Sequence, residues 1–264
     1  GDLISMPELV EICINKIRIL NKGYQLILLS DSNIKEYIPH IDSFSFPQVQ
    51  HKSDYIRLYL LYNYGGVWMD ASIMCYQSVD SIIRIMDKKK SNFFAFYNDD
   101  RTYDLNYPII ENWFLVSSIK NDFIKKWLKE YEFALLVGPL EYIKRIDNYN
   151  PLIFHNIGLN ERRYLFNYIC AQKILRNYKG GYLFMSCNDT AFYYHMTGSW
   201  RYMFFGLRSF HYTNVIKTLT LFKKPKCSPV LIKLVAGDRG HLNYILENRL
   251  YRKDTLFSKF LEIQ

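Results

Sequence analysis

The sequence contains no uninterrupted apolar run near the length of a membrane span. Its most apolar patch, residues 133–140, is far too short. Its first residues show no charged, apolar and small-residue leader pattern. The five cysteines (Cys13, Cys75, Cys170, Cys187 and Cys227) are odd in number and widely spaced, with no C-x-x-C pair. That argues against a disulfide framework and reads as reduced, mostly buried thiols in a cytosolic compartment. No linker, repeat or sharp change of composition interrupts the 264 residues, so a single domain over 1–264 with one sizeable core is expected. G-x-x-x-x-G-K-[ST], G-x-S-x-G and H-E-x-x-H are all missing, and no pair of facing carboxylates points to a hydrolase. There is no Arg-rich arm, zinc-finger spacing or RNA-binding signature, which argues against nucleic acid as a partner.

Apolar residues make up 49% of the chain and aromatics 17%, too hydrophobic a composition for a disordered protein. The net charge is +9, spread along the chain with small clusters at 88–90, 162–163 and 223–224. Such a charge suits phosphate-bearing ligands or an anionic membrane surface.

The spacing predicts a helix over 8–20, a strand over 24–29 and a short helix over 33–38 ended by Pro39. Further helices are expected over 79–86, 121–131, 140–146, 163–178, 242–249 and 256–261, and strands over 92–97, 111–117 and 182–185. Residues 98–107 read as an exposed loop. The alternation of helix and strand predicts a parallel α/β sheet with a helical C-terminal portion.

The most informative stretch is 53–72, S-D-Y-I-R-L-Y-L-L-Y-N-Y-G-G-V-W-M-D-A-S. A helix from Ser53 to Tyr64 meets Gly65 where a C-cap glycine is expected. Val67-Trp68-Met69 then reads as a short strand ending on Asp70, at the edge where open α/β sheets bind ligands. If the strand stays extended, Trp68, Asp70 and Ser72 share a face. An aromatic, a carboxylate and a hydroxyl could floor a flat ring and ligate Mg2+ or Mn2+. Asp54 and Arg57, one turn apart, could hold sugar hydroxyls and phosphate. On spacing alone, a surface ion pair and a turn aspartate account for the same residues.

The stretch resembles the signature of the capsular-polysaccharide-synthesis and family 32 glycosyltransferases: Ser/Ala-Asp-x-x-Arg-x-x-x-Leu-x-x-x-Gly-Gly-aromatic-x-Asp-x-Asp/Ser/Thr. Residues 1–38 are similar to the family's N-terminal region without its first strand, which the resemblance places before residue 1. I-I-E-N-W-F-L-V-S-S (109–118) resembles its central strand, F-Y-Y-H-M-T-G-S-W (192–200) its His-x-x-x-Ser-Trp motif, and I-K-L-V-A-G-D-R (232–239) its capsular tail.

The resemblance implies a GT-A, Rossmann-like fold with a mixed, mainly parallel sheet. It implies a retaining transferase that uses a nucleotide sugar, a UDP-sugar in first place, and a glycan or lipid-linked oligosaccharide acceptor in surface polysaccharide synthesis. It gives Asp70 and His195 to Mn2+ (or Mg2+). It places Asp54, Arg57, Trp68, Ser72, Asn112, Ser199 and Trp200 at the donor. Asp70 and Arg57 would assist catalysis. Retention needs either a carboxylate nucleophile, for which Glu111 is the one acid near a plausible donor position, or same-face attack guided by the leaving phosphate, the route favoured here. Ser72 stands where many members carry a second acid. From the thiols and the basic charge, a cytoplasmic location is expected, with attachment to the cytoplasmic face of the membrane as a further option. Two other readings stay open here: a catalytically silent sugar-binding or assembly subunit, and a basic peripheral membrane module.

Overall fold

The computed structural model describes residues 6–154, 157–197 and 211–262, with backbone alone at 211–214. In chain order the first elements are α1 (Glu8–Leu20), α2 (Ile34–Tyr37), α3 (Val49–Tyr64), β1 (Gly66–Met69), β2 (Ile73–Cys75), α4 (Asp80–Lys88), β3 (Phe93–Tyr97) and β4 (Ile110–Ser117). There follow α5 (Asp122–Val137), α6 (Pro139–Tyr149), α7 (Leu159–Arg162), α8 (Phe166–Leu175), β5 (Tyr182–Ser186), α9 (His211–Leu221), β6 (Leu231–Lys233), α10 (Ala236–Glu247) and α11 (Leu256–Leu261). Residues 193–197 are also helical. The chain divides into two compact units. The sheet unit is Leu29–Met69 with Ile85–Ser186; the ribbon unit is Gly1–Leu28, Asp70–Arg84 and Cys187–Gln264.

The sheet unit is built on four strands in the order β1-β4-β3-β5. β4 runs antiparallel to both β1 and β3, while β3 and β5 are parallel. The sheet is mixed, as expected, but "mainly parallel" needs correction. β1, β3 and β5 point one way, yet β4 lies reversed between β1 and β3, so only β3 and β5 form a parallel neighbouring pair among the described strands. Every residue of β4 is buried, as in a strand covered on both faces. The helices that cover this sheet read out their apolar spacing. α5 buries Phe123, Ile124, Trp127, Leu128, Tyr131 and Ala134 on one face. Each large side chain of that set contributes roughly 1.5–3 kcal/mol by leaving water. Tyr131 stacks on Phe166 of α8 at 4.9 Å, and Trp127 donates to Asn167 Oδ1 at 2.9 Å.

α3 starts at Val49, four residues ahead of the expected Ser53, with no side-chain cap on its first turn. It ends at Gly65, whose φ of +69° and ψ of −159° favour glycine. A Cβ there would also lie 2.7 Å from the Ile119 backbone nitrogen. The Gly65–Gly66 turn thus delivers β1 against β4 in the register Met69↔Phe114.

The ribbon unit pairs β2 with β6, antiparallel, in the register Ile73↔Lys233. A second core gathers around it: Leu9 and Cys13 of α1, Met74, Leu219, Ile232, Leu242, Phe257 and Phe260. The three-residue strands β2 and β6 are too short to show a period and were not foreseen. Residues 24–29 form no strand; Leu26 and Ile27 stay exposed at 39% and 43%. A β-rich composition makes a strand only where a neighbour supplies the ladder. Of the cysteines, Cys13, Cys75, Cys170 and Cys187 are buried and Cys227 is exposed. No helix among the described residues is long and apolar enough to cross a membrane.

Candidate functional site

The registers of the sheet unit bring the C-terminal ends of β1, β3 and β5 and the start of β4 to one edge. Tyr97 is opposite both Ile110 and Ser186, and Met69 is opposite Phe114. The first polar residues of β4, Glu111 and Asn112, therefore lie at that edge. Both are about 8% exposed, so both need partners. Asn112 Nδ2 donates to Asp54 Oδ1 at 2.8 Å. Tyr168 of α8 donates its hydroxyl to Glu111 Oε2 at 2.8 Å, and Asn98 Nδ2 donates to Glu111 Oε1 at 2.7 Å. Burial first, then the Glu111 carboxylate, hold the Tyr168 phenol well above its ordinary pKa, so it stays a donor. Beside this set, Ser186 at the end of β5 donates to Asp99 Oδ1 at 2.6 Å. A two-armed Arg101–Glu161 pair (2.7 and 2.6 Å) pins the loop after β3.

Arg57 sits under this edge and is 6% exposed. Nη1 donates to the Asn112 carbonyl at 2.5 Å, Nε to the Ser53 carbonyl at 3.2 Å and Nη2 to Ser53 Oγ at 3.0 Å; Asp54 is 3.4 Å away. All three nitrogens have protein acceptors, so Arg57 ties α3 to β4. Its guanidinium carbon lies 5.2 Å from the Trp68 ring centre. The Trp68 indole N–H is buried without a hydrogen-bond partner among the described residues. Asp54, Arg57 and Trp68 thus form one cluster with Glu111 and Asn112 from a distant part of the chain.

Asp70 and Ser72 belong to the ribbon unit. The expected continuous face through Trp68, Asp70 and Ser72 does not form. β1 ends at Met69, and the Ile73 N–H bonds the Asp70 carbonyl at 3.2 Å, closing a turn. Lys233 at the end of β6 places Nζ 2.6 Å from Asp70 Oδ2. Arg239 in the first turn of α10 donates to Ser72 Oγ at 3.1 Å. His195 Nε2 lies 2.8 Å from Asp238 Oδ2, which also accepts from the Val235 N–H at 3.0 Å and so caps α10. Ser199 and Trp200 lie outside the described residues.

Lys233, Asp238 and Arg239 escaped sequence reasoning. The signal was the I-K-L-V-A-G-D-R tail, but its partners lie 163 residues from Lys233 and 167 from Arg239. Two of the expected metal-site residues fit a divalent ion poorly: Asp70 is paired with an ammonium and Ser72 accepts from a guanidinium. His195 sets Nε2 against Asp238, and its buried Nδ1 has no hydrogen-bond partner among the described residues. Among the described residues no three His, Cys, Asp or Glu side chains gather as a metal set.

Residues 4–135, half the chain, match the family described as "Capsular polysaccharide synthesis protein". Among curated relatives, "O-glycosyltransferase braB" of Annulohypoxylon truncatum is 28% identical over 138 residues, covering 45% of this chain and 32% of that protein. "Inositol phosphoceramide mannosyltransferase 2" of Schizosaccharomyces pombe is 26% identical over 164 residues, covering 56% and 46%. "Glycosyltransferase afumC" of Aspergillus fumigatus is 54% identical over 33 residues, 12% of this chain and 8% of that protein. The chain thus spans less than half the length of these relatives. No solved structure matches. By the family match over half its length, on the stretch that carries α3, the glycine turn, β1 and β4, the chain belongs to the capsular polysaccharide synthesis protein family.

Proposed function

We propose that the chain is a glycosyltransferase of GT-A type. It moves a sugar from a nucleoside-diphosphate donor, a UDP-sugar in first place, to a glycan or lipid-linked acceptor of surface polysaccharide synthesis, with retention of configuration. The observation that carries this reading is the network of Asp54, Arg57, Glu111 and Asn112 at the ligand-binding edge of the sheet. Carboxylates and amides in fixed positions match the hydroxyls of a sugar ring. The Trp68 ring and its unpaired N–H suit a flat, acceptor-bearing ligand group. The relatives, named as glycosyltransferases or a mannosyltransferase, support the same chemistry.

In the reaction the bond between the anomeric carbon and the phosphate oxygen breaks, and its electron pair stays on that oxygen. The carbon passes through an oxocarbenium-like state, as in glycoside hydrolysis. The acceptor hydroxyl attacks from the face the diphosphate leaves, and its proton passes to the departing diphosphate oxygen. Both oxygens of Glu111 already accept hydrogen bonds. That favours same-face attack over a covalent Glu111 intermediate and makes Glu111 a positioning residue. The net charge of +9 supports attachment to an anionic membrane surface.

The test is a panel of UDP-, GDP- and dTDP-sugars with lipid-linked acceptors, read by nucleotide release and thermal shift. One donor class should bind and release nucleotide. Absence of binding to every nucleotide sugar, with and without Mn2+, would sink the transferase reading. Unchanged donor binding in Asp54→Ala and Asn112→Ala would sink the cluster as the sugar site.

A further inference from the structure

We propose that Lys233 at the end of β6 and Arg239 in the first turn of α10, whose side chains meet at the turn carrying Asp70 and Ser72, form a diphosphate-binding site in which two fixed side-chain cations take the place of a divalent metal. The choice of a diphosphate as ligand rests on the glycosyl-transfer reading above. The geometry begins with the β2–β6 ribbon, whose register sets Lys233 opposite Ile73, the residue that closes the Asp70 turn. Lys233 is only 8% exposed, and its ammonium is held 2.6 Å from Asp70 Oδ2. From the other side, Arg239 reaches Ser72 Oγ at 3.1 Å. Ser72 is itself 5% exposed; its oxygen accepts from Arg239, which leaves its own proton to donate.

The charges decide the ligand. A metal site of the expected kind would offer carboxylates to a doubly positive ion. This turn offers one carboxylate, already paired with an ammonium, and a hydroxyl already bonded to a guanidinium. A divalent ion here would face Lys233 across the same carboxylate, and like charges at that range repel. Lys233 and Arg239 together carry the charge of one divalent ion, and both are donors suited to phosphate oxygens. A departing nucleoside diphosphate gains negative charge as the glycosidic bond breaks, and cations fixed in advance stabilise it without rearranging. Asp70 is then a positioning residue that aims Lys233. Asp238 fixes the first turn of α10, from which Arg239 projects, by accepting from the Val235 N–H at 3.0 Å.

The test measures binding of inorganic pyrophosphate and of UDP by calorimetry, in excess EDTA and again in Mn2+, for the wild-type chain and for Lys233→Met, Lys233→Arg and Arg239→Gln. Both probes should bind in EDTA, with affinities within about threefold of those in Mn2+. Charge-assisted hydrogen bonds to charged groups are worth about 1.5–3 kcal/mol, so Lys233→Met and Arg239→Gln should each weaken binding on the order of 10- to 100-fold. Lys233→Arg, which keeps the charge, should stay within a few-fold of wild type. Should Lys233→Met fail to fold by its melting curve, Arg239→Gln and Lys233→Arg decide the matter. Binding that vanishes in EDTA and returns with Mn2+ would overturn the proposal, as would wild-type affinity in Arg239→Gln. The outcomes separate the two readings. Metal-free pyrophosphate binding that Arg239→Gln destroys, with no binding of any nucleotide sugar, defeats the transferase reading alone. Nucleotide-sugar binding that needs Mn2+ and ignores both variants defeats this inference alone.

Discussion

Replacing Gly65 by alanine tests the construction of the site at its narrowest point. Gly65 sits at φ +69°, ψ −159°, a region populated almost only by glycine. Holding alanine there costs about 1–3 kcal/mol. The new Cβ would also lie 2.7 Å from the Ile119 nitrogen, 3.1 Å from its Cα and 3.1 Å from the Ser117 carbonyl. These neighbours are backbone atoms and cannot swing aside, so relieving the clash costs about another 1–3 kcal/mol, as overpacking does. The sum is about 2–6 kcal/mol, or roughly 4–20 °C in the midpoint of thermal unfolding for a chain of this size. Gly66 is an internal control: its φ is +91°, but a Cβ there meets nothing within 4 Å. Gly66→Ala should therefore show the strain alone, about 1–3 kcal/mol. Melting both variants by circular dichroism checks the argument. A Gly65→Ala midpoint within about 1 °C of wild type, or a Gly66→Ala loss larger than that of Gly65→Ala, would refute it.

Three other outcomes follow from the described geometry. Lys16, 8% exposed on α1, has its pKa pushed down to about 8, first by burial, against the opposing pull of Glu262. The folded value lies below the unfolded one, so the unfolded chain binds more protons between about 8 and 10.5, and stability rises with pH across that window. Lys16→Met should raise the melting midpoint at pH 7 and much less at pH 10; equal gains at the two values would contradict the burial argument. Glu111→Gln keeps the Tyr168 partner and should retain measurable transfer with no covalent sugar adduct in mass spectrometry. Trapping an adduct on Glu111 in the wild-type chain would reverse the proposed mechanism. Asn121 caps α5 by accepting from the Ile124 N–H at 3.1 Å and is 3% exposed. Its alanine variant should lose about 1–2 kcal/mol in urea titration, and an unchanged midpoint would count against the cap.

Local period carried much of the architecture. α1, α11, β3 and β5 lie where apolar spacing puts them, because each buries one face or one run against a core near at hand. What failed was whatever depends on a distant partner. Residues 24–29 have strand chemistry yet form no strand, while β2 and β6 have only three residues apiece and exist because they pair with each other. The same holds for the site. Asp54 and Arg57 are legible in the 53–72 signature and Asn112 in the stretch resembling the family's central strand, but the Arg57 bond to the Asn112 carbonyl is set by the packing of α3 on β4. The pairing of Lys233 with Asp70 could not be read before the ribbon was known, because nothing in either local sequence names the other.

The distribution of the thiols gives the molecule an experimental handle. Burial pushes the Cys75 thiol up to about 12 and keeps the Cys13 and Cys170 thiols protonated and inert, while Cys227 stands exposed. A maleimide dye added to the native chain should therefore react at one position. That position is in the ribbon unit, a short loop ahead of β6 and Lys233. The protein thus carries its own optical reporter, and diphosphate binding could be followed by fluorescence without introducing or removing a single cysteine.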